Sequence, residues 1–120
     1  MDAAKLRLHS VMLGVTDVEA SVAFYTQKLG LALAARFEEF ALLDAGGAML
    51  TLNGGLARLR PPVPAPVEVV FSVDSVREAY DVLRARGVAF LNEPRIVDGV
   101  NEAVNFQDPD GHHLSLFGAP

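Results

Sequence analysis

Cysteine and tryptophan are both missing from the 120 residues. Without cysteine there can be no disulfide framework, no thiolate nucleophile, no zinc ribbon and no iron–sulfur site, and an intracellular compartment is permitted. Positive charge is also sparse: 10 Lys and Arg stand against 15 Asp and Glu, for a net charge of -5. A chain of that balance repels nucleic acid on average, so a nucleic-acid partner is not expected. Apolar runs reach only a few residues, far short of the ~20 needed to span a bilayer. The opening Met-Asp-Ala-Ala-Lys has no signal-peptide core. These readings together predict a cytoplasmic protein without membrane contact.

What is present suits one globular domain over 1–120, with 51% hydrophobic and 21% charged side chains. A chain of this size buries roughly two thirds of its unfolded surface, enough for a core without metal or disulfide. From Leu6 to Val15 the sequence is rich in leucine and valine, which predicts a strand, and Thr16-Asp17 can cap a following helix. The spacing from Thr16 to Glu19 fits a capping box, and Val18, Val22, Tyr25 and Leu29 recur at helical intervals until Gly30 stops the helix. Leu31–Phe37, Phe40–Asp44 and Ala48–Leu52 are short apolar segments, the last two parted by Ala45-Gly46-Gly47, as in an antiparallel meander. The first half reads β-α-β-β-β.

Residues 58–66 hold four prolines and predict a stiff connector. Beyond it the order restarts. Val67–Val73 reads as a strand, Ser75 to Glu78 as a second capping box, and Val76, Ala79, Tyr80 and Leu83 as a helical face ended by Gly87. Val88–Leu91, Ala103–Phe106 and His113–Phe117 read as strands, the last two joined through Asp108-Pro109-Asp110-Gly111. Aligning Val15 with Val73 and Gly30 with Gly87 pairs the halves as a repeat. The expected architecture is α+β: module 1 at about 5–57, the connector, and module 2 at about 67–118, two tandem βαβββ modules whose sheets form an open barrel-like cup.

Three segments carry a resemblance: Leu8-His9-Ser10-Val11-Met12-Leu13-Gly14-Val15-Thr16-Asp17, then Ser21-Val22-Ala23-Phe24-Tyr25 with Leu29-Gly30-Leu31, and last Asp108-Pro109-Asp110-Gly111. The chain resembles the vicinal oxygen chelate superfamily, which includes glyoxalase I, the bleomycin-resistance proteins, fosfomycin-resistance enzymes and extradiol dioxygenases. The resemblance implies the fold over nearly the whole chain but no single reaction. Metal-dependent members chelate a divalent ion with a His in the first strand and an acid near the last strand of each module. Carried over by spacing from Asp17, Leu50-Thr51-Leu52, Asp74 and Gly111, those four positions fall on Ser10, Thr51, Glu68 and Ser115. His9, one residue off, would face away from the cup. One carboxylate and three hydroxyls form a poor site for zinc, nickel, iron or manganese, because neutral alcohols are weak ligands and these metals prefer imidazole and carboxylate, so the usual metal is not expected; no other cofactor is expected either.

Glu68 is the one ionisable group of the quartet, and it is a candidate general base or counter-charge; the plain alternative is an exposed residue at a strand start. Of His112 and His113 only one can enter the cup, and His113 shares the parity of Ser115. Met12, Met49 and Phe117 share the same parity and would add an apolar lining, with core packing as the alternative. Asn101, Asn105 and Gln107 offer amides if they face inward. Asp17, Gly30, Asp108, Pro109 and Gly111 are read as cap and turn residues.

The resemblance points to the bleomycin-resistance-like branch: a homodimer that sequesters a small, largely apolar or aromatic compound without altering it, and the net charge of -5 would suit a cationic ligand. The rival is a metal-independent isomerase or lyase with Glu68 as base and Ser10, Thr51 or Ser115 polarising an oxygen. A non-catalytic interaction subunit, its cup filled by Met12, Met49 and Phe117, is the third reading.

Overall fold

The structure is a computed structural model that describes residues 9–58 and 68–120. Module 1 runs β1 (Ser10–Gly14), α1 (Val18–Ala23), a π-helical turn (Phe24–Lys28), β2 (Ala32–Arg36), β3 (Phe40–Asp44) and β4 (Met49–Asn53), followed by a 3-10 turn at Leu56–Arg58. Module 2 runs β5 (Glu68–Val73), α2 (Val76–Ala85), β6 (Arg95–Ile96), β7 (Glu102–Gln107) and β8 (His113–Gly118). Each module folds into a four-stranded sheet, in the orders β1-β4-β3-β2 and β5-β8-β7-β6. In each the first strand lies parallel to the last, and the remaining pairs are antiparallel. The expected α+β fold of two tandem βαβββ modules is the observed one, and the two sheets stay open. The proline-rich connector, apart from Arg58, and Leu6–Leu8 at the start of the first expected strand lie outside the described residues.

Strand alternation divides each sheet into two faces. Leu13, Leu43, Leu50 and Leu52 of the first sheet join Val104, Phe106, Leu114 and Leu116 of the second in one buried cluster, together with Phe24, Tyr25, Val76 and Leu83 from the helical segments. The two modules therefore share a core, and the opposite face of each sheet is left for other work. Gly30 and Gly87 end the two helical segments with φ of +82° and +93°, a region that glycine enters without the Cβ clash other residues meet.

Three local expectations need correction. First, Thr16 is not a helix cap. Asp17 is, its Oδ1 accepting from the Ala20 amide at 3.0 Å, while the Thr16 amide and hydroxyl both donate to Asp110 Oδ1. Ser75 does cap α2, accepting from the Glu78 amide at 3.2 Å. Second, the first helix does not continue as α to Leu29. The Thr26 hydroxyl donates to the Val22 carbonyl at 2.7 Å, and the Leu29 amide reaches back to Phe24. The resulting π turn carries the adjacent aromatics Phe24 and Tyr25, both buried. Third, Val88–Leu91 is not a strand. Val88 turns into the core, Phe90 makes a single bridge to Phe106, and Pro94 has no amide to donate, so pairing with β7 resumes only at β6.

Candidate functional site

The faces turned away from the shared core gather every residue assigned to the cup. In β1 and β4, Val11, Leu13, Leu50 and Leu52 belong to the core side, so Ser10, Met12, Met49 and Thr51 lie on the other face, with Ser10 opposite Met49 and Met12 opposite Thr51. In β5 and β8, Val69, Phe71, Leu114 and Leu116 face the core, so Glu68, His113, Ser115 and Phe117 lie on the free face, with Glu68 opposite His113. Ser10 and Thr51 are diagonal neighbours in the first sheet just as Glu68 and Ser115 are in the second. The quartet thus forms two equivalent pairs, one per module.

Their surroundings differ. Thr51 and Ser115 sit mid-sheet, 5% and 3% exposed, and neither hydroxyl has a hydrogen-bond partner among the described residues. Met12 is 48% exposed, its sulfur accepting from the Asn53 side-chain amide at 3.3 Å. Glu68 is exposed, but it is not loose. Asn105 Nδ2 donates to Glu68 Oε1 at 3.0 Å, while Asn105 Oδ1 accepts from Asn92 Nδ2 at 3.0 Å. That second bond, with the Asn105 backbone amide donating to Asn92 Oδ1 at 3.0 Å, fixes which end of the Asn105 amide faces the carboxylate. Glu68 Oε2 has no hydrogen-bond partner among the described residues and can accept from a ligand.

Of the other amides weighed, Asn101 lies before β7 and donates to Asp98, and Gln107 is exposed at the end of β7. His113 is exposed beside Glu68, whereas the His112 ring is held by Asp108 through Nδ1 at 2.7 Å. The sequence reading missed Val70, which is opposite Ser115 and 55% exposed, although its even spacing from Glu68 already carried that signal. It also missed Asn92, for which no sequence pattern gave a signal.

Met49, Glu68 and Val70 meet in a groove of about 270 Å³ where the two modules adjoin, lined also by Val11, Leu50 and Phe71. A larger cavity, about 720 Å³, opens beside it between the modules and includes none of the residues assigned to the cup.

A family model described as Glyoxalase/Bleomycin resistance protein/Dioxygenase superfamily matches residues 7–116. The chain belongs to this superfamily. It is 32% identical to a probable lactoylglutathione lyase of Vibrio cholerae, over 92% of this chain and 88% of that protein. It is 27% identical to metallothiol transferase FosB of Lysinibacillus sphaericus, over 91% of this chain and 79% of that one. Among solved structures, a glyoxalase/bleomycin resistance protein/dioxygenase from Nocardioides superposes with a TM-score of 0.81 at 29% identity, covering 98% of this chain and 86% of that one.

Chelation of a metal by superfamily members raises the question of fit here. The donors at the four positions assigned by spacing are one carboxylate and three alcohols, and one oxygen of the carboxylate already accepts from Asn105. Neutral hydroxyls are weak ligands for the transition metals. Among the described residues no three His, Cys, Asp or Glu side chains are grouped closely enough to hold an ion. This donor set does not fit such a metal. Also among the described residues, no helix is long and apolar enough to cross a membrane.

Proposed function

We propose that this superfamily member binds a small apolar or aromatic, cationic compound on the cup faces without a metal, in the drug-sequestering manner, as a cytoplasmic homodimer. The observation that carries the reading is Glu68: a carboxylate with one oxygen tied to Asn105 and the other without a partner among the described residues, flanked by exposed Val70 on its own strand. A fixed anion next to apolar surface suits an organic cation. Met12, Met49 and Phe117 supply further apolar contact, and Ser10, Thr51 and Ser115 supply hydroxyls to orient it. Exposed Met12 and Val70 favour a second copy covering these faces.

The names of the relatives favour a second reading, an isomerase or lyase in which Glu68 takes a proton next to a carbonyl and the Thr51 or Ser115 hydroxyl steadies the oxygen. One substitution separates the two. Under the binding reading, Glu68→Gln weakens cationic aromatic ligands such as quaternary ammonium dyes about tenfold or more and spares neutral analogues. Under the catalytic reading, it leaves affinity nearly unchanged and cuts turnover of a thioester such as lactoylglutathione by about 10²–10⁴-fold. If neither quantity moves, both roles for Glu68 fall.

A further inference from the structure

The larger cavity has a chemistry of its own. Its floor is apolar: Leu31, Phe71, Val73, Leu83, Phe106 and Leu116 line it. Phe71, Val73, Phe106 and Leu116 lie on the core-facing sides of β5, β7 and β8, the side opposite Glu68, Val70 and Ser115. The cavity adjoins the groove at Glu68, with Ala45 and Phe71 lining both, but includes none of the residues assigned to the cup. Its volume of about 720 Å³ falls within the ~300–1,000 Å³ of ordinary small-molecule sites.

Its rim is charged and unbalanced. Asp44, from the end of β3, and Asp74 and Glu78, at the start of α2, face a single cation, Arg86. The Arg86 guanidinium is turned to the Lys28 carbonyl at 3.2 Å, and none of the three carboxylates is ion-paired among the described residues. Val82, on the wall, is 48% exposed, an apolar side chain on α2 that the shared core does not use. An apolar floor between the modules under an acidic mouth is complementary to a molecule with an apolar body and a protonated amine at one end.

We propose that this inter-module cavity is a second binding site, beside the cup, that takes an organic amine with its apolar body against Leu31, Phe71 and Val82 and its ammonium group at Asp74 and Glu78. The site is independent of what Glu68 does.

Three probes of one shape and different charge test it: 4-phenylbutylamine, 4-phenylbutanol and 4-phenylbutyrate, each titrated into the full chain while backbone amide chemical shifts are followed. Saturable shifts are expected at Gly30, Gly46, Ser72 and Ala79, with the amine bound about fivefold tighter than the alcohol, the scale of one or two half-exposed ion pairs. The butyrate should bind more weakly than either. Asp74→Asn/Glu78→Gln should bring the amine to the affinity of the alcohol and leave the alcohol unchanged. Val82→Arg, at a solvent-facing position that folding tolerates, should abolish amine binding through bulk and like charge. Equal affinity for the three probes, absence of saturation, or shifts confined to Ser10, Thr51 and Ser115 would each overturn the proposal.

Discussion

The Tyr25 hydroxyl donates to Asp108 Oδ2 across 2.8 Å, with both side chains buried, and so joins the π turn of module 1 to the β7–β8 turn of module 2. The same carboxylate accepts from the Asp110 and His112 amides through Oδ1, at 3.0 and 2.9 Å, and meets the His112 ring at 2.7 Å. Asp110 in turn accepts from Thr16 and Ser21. The Asp-Pro-Asp-Gly segment is thus a clasp between modules as well as a hairpin turn. Tyr25→Phe removes one bond to a charged acceptor that keeps three others, so a loss of about 1.5–3 kcal/mol is expected in urea unfolding.

The same tyrosine gives stability an alkaline limit. Burial first, and the Asp108 charge second, push the Tyr25 hydroxyl well above its ordinary 10.0. The unfolded chain releases this proton near pH 10, whereas the folded chain holds it to higher pH. The contribution is therefore complete below pH 10 and declines above it, by about 1.4 kcal/mol per pH unit. Unfolding measured from pH 8 to 11.5 should show the gap between wild type and Tyr25→Phe shrinking above pH 10. A constant gap would contradict this assignment.

Arg77 and Glu102 form a second lock, within module 2. Arg77 Nη2 lies 2.8 Å from Glu102 Oε2, with the carboxylate side chain 3% exposed and Oε1 buried without a partner among the described residues. Arg77→Met leaves a buried carboxylate with no partner at either oxygen, an expected loss of about 1–3 kcal/mol in chemical denaturation. Adding Glu102→Leu removes the stranded charge, and the double variant should recover most of that loss. If it is no more stable than Arg77→Met, the penalty does not come from the stranded carboxylate.

How much of this was legible beforehand follows from which interactions are local. Strand parity is set by a period of two, so once Thr51 was assigned to the free face, Met49 followed, and His113 and Phe117 followed from Ser115 in the same way. Ser75 and Glu78 are three residues apart, and their cap was readable as well. The relations that escaped are long-range or depend on competing donors. Nothing near Thr16 announces Asp110, nothing near Asn105 announces Asn92, and the π turn depends on a hydroxyl at Thr26 diverting one carbonyl. The missed strand β6 reflects Pro94, which delays pairing past the apolar run at Val88–Leu91. The large cavity escaped altogether, because it lies between elements of both modules and no single segment carries its signal.

Close packing at the end of β8 gives a further test of the fold. A Cβ at Gly118 would run into the carbonyl oxygen of Val73, its partner in the parallel β5–β8 pair. Backbone cannot yield there without parting the two strands. Gly118→Ala should therefore lower the thermal midpoint by several degrees, the effect of about 1–3 kcal/mol of overpacking in a domain of this size. Gly46→Ala meets no atom and bears only the cost of its positive φ of +78°, so its loss should be smaller.

The last prediction concerns metal, and it uses both loss and gain. With Ser10, Thr51, Glu68 and Ser115 at the positions assigned by spacing, the wild-type chain offers one carboxylate and three alcohols. After dialysis against zinc, nickel, manganese or iron it should keep well under one equivalent per chain. Its thermal midpoint should also barely respond, because a ligand at 100 times its dissociation constant would add about 2.7 kcal/mol. The triple variant Ser10→His/Thr51→Glu/Ser115→Glu keeps Glu68 and places one imidazole and three carboxylates on the same strand faces, two donors from each module. Such a set suits nickel, zinc or manganese, and the variant should take up metal and gain thermal stability in proportion. Uptake by the variant but not by the wild type would locate the loss of metal binding in these side chains. One tightly held equivalent in the wild type, released by Glu68→Gln, would instead restore a metal-dependent reading of the cup and remove the argument from donor chemistry.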